Sequence, residues 1–198
     1  MTQPTAQLLE NLKQHVENQL QKAIHEWQML PAPALSRKAS PDAWSAAQCL
    51  EHLNIYGRYY LPAMEQAIRK AKISGKGPAM EFHSGWLGAW FTGLMRPLSD
   101  GALKSKMKAP ANAIPSSDPD ARAMLAEFID QQEKMLQLLD EARFVDLQAV
   151  RIPISIAPWL RLKLGDTFQF VIAHIERHML QADRAIGKPE FSTSGAPG

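Results

Sequence analysis

An all-α fold, a helix bundle, is the fold class the sequence predicts, on three observations. Four long stretches repeat apolar residues at the three- and four-residue steps of an amphipathic helix, and none alternates convincingly as a sheet strand. A single cysteine, Cys49, in 198 residues excludes an intrachain disulfide framework as the source of order.

The first helix carries Leu8, Leu9, Leu12, Val16, Leu20, Ile24 and Trp27. Pro4 suits its early turn and Pro31-Ala32-Pro33 ends it. The second opens on a capping box: Ser45 faces Gln48 three residues on, with Trp44 and Cys49 placed as a hydrophobic staple. It runs through His52, Tyr56, Tyr59 and Ala67 and stops near Gly75, a natural left-handed residue. The third starts at Asp118-Pro119 and buries Leu125, Phe128, Ile129, Met135, Leu136 and Leu139. The fourth presents Phe168, Val171, Ile172, Ile175, Met179 and Ala182, and Gly187 with Pro189 ends it.

The connections are unequal. Residues 76–117 exceed an ordinary bundle turn. Within them Phe82, Trp86, Trp90 and Leu94 stand four apart and predict a short aromatic helix, weakened by Gly85, Gly88 and Gly93. An apolar plug over one end of the bundle is the plain reading of this insertion, with a pocket wall or a homodimer contact as the alternatives. Phe144 to Trp159 reads as an extended cover strap, because Pro153 and Pro158 exclude a central strand. The organisation is one domain over residues 1–190, followed by a frayed tail at 191–198.

Composition excludes several functions. With 22 basic and 20 acidic residues the net charge is +2, a poor argument for nucleic acid, and Lys104-Ser105-Lys106-Met107-Lys108 reads as a solvated loop. No apolar run approaches the roughly 20 residues that span a bilayer, and the polar start is not a signal peptide. A soluble, cytoplasmic protein without a membrane or nucleic-acid partner is the expectation.

The sharpest chemical feature is His174-Ile175-Glu176-Arg177-His178. Imidazoles four apart on a helix lie one turn above each other and can share a metal ion, although such pairs also arise by chance on helix surfaces. This pair borders the apolar stripe, where neutral imidazoles need hydrogen bonds or a cation. His52 lies on the inward side of the second helix. Alone it reads as a satisfied core histidine; with the pair it makes three ligands and leaves an open position, as in catalytic sites. Glu176 is not a metalloprotease base, since Ile175 stands where that motif needs the glutamate. Arg177 is placed to hold an anionic substrate or to make a surface salt bridge. Gln181 can offer an amide on the same face, and Cys49 is either the staple contact or a reactive thiol. His15 and His25 read as solvated, and His83 as an undetermined loop residue.

Two segments then resemble a known family. Trp44-Ser45-Ala46-Ala47-Gln48-Cys49-Leu50-Glu51-His52-Leu53, and Leu164-Gly165-Asp166-Thr167 leading to His174, Arg177, His178 and Gln181, resemble the DinB-like (DinB/YfiT) superfamily of metalloenzymes. The resemblance covers roughly residues 5–187. It implies a four-helix bundle whose second and fourth helices are neighbours, with a long aromatic loop insertion. It also implies a divalent ion, zinc or nickel, on His52, His174 and His178. Gln48 departs from the Glu of many members; as a capping residue it serves as well, whereas a carboxylate acting near the metal would be lost. Gln48, Arg177 and Gln181 are the positions near the metal and substrate. Some relatives activate a low-molecular-weight thiol for transfer, so the resemblance implies a metal-dependent transferase or hydrolase acting on a small molecule. A non-catalytic binding or dimerisation module is the alternative.

Overall fold

The computed structural model describes residues 2–75, 77–97 and 108–187. The predicted tail, Pro189 and residues 104–107 of the lysine run lie outside them; Lys108 is exposed. The structure is mostly helical. Four long helices carry it: α1 (Thr5–Lys22), α3 (Ala46–Ile73), α5 (Ala121–Ala142) and α6 (Leu164–Ile186). Two shorter ones, α2 (Ala32–Ser36) and α4 (Trp86–Met95), join them. α3 packs on α5 and α6, α1 packs on the same two, and α4 covers α6. The second and fourth long helices are therefore neighbours.

Local chemistry accounts for the helix ends. Ser45 Oγ accepts from the Gln48 amide at 3.2 Å, and Gln48 Oε1 accepts from the Ser45 amide at 3.1 Å, closing the capping box that starts α3. Pro62 lies mid-helix on the exposed side of α3, where losing one backbone donor is tolerated. α5 starts two residues later than Asp118-Pro119 suggests, because Asp120 is the cap, accepting from the amides of Arg122 and Ala123. α6 ends at Gly187, whose φ of 82° is the left-handed conformation a glycine adopts freely.

Three expectations need correction. On α1, Leu20 and Ile24 are only half-buried, and the stripe turns to Gln19, Ala23 and Trp27. Ordinary three- and four-residue steps from Val16 carry the stripe through Gln19 to Ala23. A π-turn follows over Ala23–Trp27, where the Gln28 amide bonds to the Ala23 carbonyl at 2.9 Å, and Trp27 Nε1 lies 3.0 Å from Asp183 Oδ1 on α6. The aromatic insertion forms α4, but its four-apart residues do not make one buried face. Phe82 is buried before the helix, while Trp86 and Trp90 are exposed and Gly88, Thr92 and Met95 face inward. Glycine explains this: a Cβ on Gly88 would lie 2.3 Å from Asp166 Cγ, so the bare backbone is what lets α4 sit on α6. Finally, strands do occur. β1 (Thr2–Pro4) pairs with β2 (Glu81–His83), and the cover strap is a hairpin of β3 (Arg151–Ile154) and β4 (Ala157–Lys163), both antiparallel. Each sheet has two strands, so every strand is an edge and Pro153 is admissible.

The core runs along the facing sides of the long helices through Val16, Leu50, Met64, Phe128, Leu138 and Phe168, all fully buried. α6 is buried on nearly all sides. Polar residues on α6 are consequently held inside the molecule.

Candidate metal centre

The capped start of α3 fixes the position of His52 two turns in, and burial of α6 carries His174 and His178 inward. All three rings are buried, and one nitrogen from each lies within 4.8 Å of the others. His52 Nε2 and His174 Nε2 are 3.2 Å apart. Adjacent ligands on a tetrahedral ion at 2.0–2.1 Å would be about 3.3 Å apart. The ring centroids of His52 and His178 lie 4.5 Å apart, and those of His174 and His178 4.7 Å. The cluster holds three neutral-type donors and no carboxylate among the described residues.

The outer hydrogen bonds decide which nitrogens face inward. His52 Nδ1 is 2.6 Å from the Ala113 carbonyl, which can only accept, so Nδ1 carries the proton and Nε2 presents its lone pair to the cluster. His178 Nδ1 donates likewise to Gln181 Oε1 at 3.1 Å. Without a cation the cluster favours neutral rings. Burial drives His174 well below its ordinary value, helped by repulsion from His178, His52 and Arg177. Burial also pulls His178 down to about 3, and lowers His52 against the opposing hydrogen bond to Ala113. Lone pairs converging in a buried space fit a divalent cation.

A family model described as the DinB superfamily matches residues 7–182. The chain belongs to the DinB superfamily. No curated protein and no solved structure matches it.

Other polar residues of this DinB-superfamily chain fall into place around the cluster. Gln181 lies against His178, as its spacing suggests. Gln48 is engaged elsewhere: besides the capping box, its Nε2 donates to the Ser116 carbonyl at 2.9 Å. Arg177 is buried rather than on the surface, with Nη1 3.5 Å from the Leu94 carbonyl at the end of α4, and burial lowers its pKa. Glu176 points away toward α1, 3.6 Å from His15 Nδ1. His83 pairs with Thr2 Oγ1 on the β1–β2 sheet, and His25 is exposed. Cys49 is fully buried in apolar surroundings that push its thiol far up, which makes it a packing residue.

Three neighbours of the cluster escape a spacing argument for metal ligands. Trp44 stacks at 5.9 Å on His178 and tilts at 5.0 Å from His52. Tyr56, four residues after His52 and so on the same face, lies 4.5 Å from the His174 ring, and burial lifts its phenol to about 12. Ala113 acts through its backbone, for which side-chain identity carries no signal. Tyr56 and Ala113 also line a groove of about 410 Å³ with Ile55, Arg58, Tyr59 and Ser155.

Proposed function

We propose that the chain is a metal-dependent enzyme in which His52, His174 and His178 hold one divalent ion, zinc or nickel, and act on a small molecule. The observation that carries this reading is the pair of outer hydrogen bonds, to Ala113 and Gln181, that aim two Nε2 lone pairs at a common space. Lewis acidity is what such an ion supplies when bound, lowering the pKa of a thiol or water at an open position. The protein's own contribution is orientation and exclusion of water. Ala113 and Gln181 hold two rings in the binding tautomer, while Trp44 and Tyr56 cover the rings with apolar surface. The groove beside Tyr56 is the place for the small molecule, a low-molecular-weight thiol with its acceptor, or a hydrolysable substrate.

Within this reading the four long helices form the four-helix bundle of the DinB/YfiT type, with the aromatic insertion laid on α6, and the protein works in the cytoplasm as a monomer or homodimer. A second reading, a non-catalytic metal-binding bundle, is favoured by one observation: among the described residues no carboxylate joins the cluster to serve as a general base.

Metal analysis of protein purified without a histidine tag, followed by cobalt substitution, tests the proposal. About one ion per chain and a sulfur-to-metal charge-transfer band on adding a small thiol are expected. No stoichiometric metal after reconstitution with zinc or nickel would overturn it. A cobalt spectrum indifferent to every thiol would leave water as the activated group, and no open position at all would leave the second reading.

A further inference from the structure

The face made by α4 and the β3–β4 hairpin carries apolar surface that the histidine cluster does not use. Trp86 is 81% exposed, Trp159 79% and Trp90 54%, and Ile156 at the hairpin turn is exposed as well. α4 lies against β4. Their ends meet at Gly85, where a Cβ would stand 3.9 Å from Lys163 Cε. Alternation along β4 puts Trp159, Arg161 and Lys163 on the side opposite the buried Leu162. The hairpin is held firmly: the Ser155 amide donates to Tyr60 Oη on α3 at 3.1 Å, and Ile152, Ile154 and Leu162 are buried beneath it. Large apolar groups exposed together on a rigid element mark a contact surface.

Charge identifies the occupant. Arg151 to Lys163 contains three basic residues and no acidic one, and Trp86 to Met95 contains no charge at all. Arg151 and Arg161 are exposed, whereas Asp166 beneath α4 is buried and accepts from Ser84 Oγ and the Gly85 amide. A second copy docking here by two-fold symmetry would bring two basic sets together with no acid from either face. Nucleic acid could stack on indoles but gains nothing from Ile156. An anionic bilayer surface satisfies both features. Indoles and aliphatic groups enter the headgroup boundary while arginines meet the lipid phosphates and carboxylates. No helix among the described residues is long and apolar enough to cross a membrane, and peripheral docking needs none.

We propose that this face docks the protein on an anionic lipid bilayer, with Trp159 and Ile156 of the hairpin and Trp86 of α4 entering the interface and Arg151 and Arg161 selecting the charge. The want of a spanning segment among the described residues bears on crossing a bilayer and not on binding its surface.

The test mixes the full chain with vesicles of phosphatidylcholine alone and of phosphatidylcholine and phosphatidylserine in equal parts. Binding to the mixed vesicles on the order of tenfold tighter or more, weakened by salt and accompanied by a blue shift of tryptophan emission, is expected. The double variant Trp86→Ala/Trp159→Ala should lose vesicle binding. The double variant Arg151→Glu/Arg161→Glu should lose the preference for phosphatidylserine. Both sets of side chains are exposed, so circular dichroism and melting temperature should match the parent, and Trp159→Phe, which keeps an apolar ring, should retain binding. Equal affinity for the two vesicle types, or undiminished binding by the tryptophan variant, overturns the proposal. So does lipid-free self-association abolished by that variant, or tighter binding to a single-stranded oligonucleotide than to the mixed vesicles.

Discussion

Gln181 and the Ala113 carbonyl do for His178 and His52 what a sequence motif cannot state, since each fixes a proton on Nδ1 and so directs the other nitrogen. Replacing Gln181 by Ala should leave three ligands in place and still weaken zinc binding by about 10- to 100-fold, the usual cost of an outer partner. Competition with a chromophoric chelator measures this, and His178→Ala should be the more damaging change. The buried rings also predict how the metal-free protein responds to acid. All three pKa values are lowered in the folded state, so below the ordinary histidine value of about 6.5 the unfolded chain binds protons that the native cluster refuses. Stability is complete above that value and falls as pH drops, with His178 alone contributing up to about 1.4 kcal/mol per pH unit down to about pH 3. Urea midpoints between about pH 7 and pH 5 should show the decline, and variants lacking one histidine should show a shallower one.

At the scale of the element, a helix start was legible where a capping box spells it, whereas the Asp120 cap of α5 was passed over for Asp118-Pro119 two residues earlier. Ser45 and Gln48 announce α3 by their spacing, and Ser45→Ala should cost about 1 kcal/mol, seen as a melting temperature lower by about 2–4 °C with metal affinity intact. What stayed illegible was the face α4 buries. Apolar periodicity points to Trp86 and Trp90, yet the inward positions are Gly88 and Thr92, because backbone proximity to Asp166 outweighs side-chain hydrophobicity there. Gly88→Ala should therefore be costly, about 1–3 kcal/mol from overpacking, and should render α4 sensitive to limited proteolysis. An unaltered cleavage pattern would show that α4 does not depend on this approach. The short strands were hidden for a different reason: three-residue pairings such as Gln3 with Phe82 are too brief to leave an alternating pattern.

For the whole molecule, the histidines were readable as partners only by combining two helices that the sequence separates by 122 residues. Spacing supplied His174 with His178. The meeting with His52 required the packing of α3 on α6, which also sets Tyr56 against the His174 ring. Because the cluster joins two helices of the core, an ion bound there stabilises the entire fold by mass action. A free concentration one hundred times the dissociation constant should add about 2.7 kcal/mol. A chelator should reverse the resulting rise in melting temperature, and His52→Ala should abolish it.

The π-turn of α1 has a consequence for the tolerance of this chain to length change. The wide turn absorbs one extra residue, which in a regular helix would advance everything after it by about 100°. That phase is what lets Trp27 reach Asp183, which Lys22 also contacts at 2.9 Å. Asp183 lies on the helix that bears His174 and His178, so the lock sets the rotational phase of that helix from its far end. Removing one residue together with the wide turn would keep that phase, whereas straightening the turn at full length would put the indole out of step. The local helix would be more regular, and the angular alignment of the histidines would lose its stop.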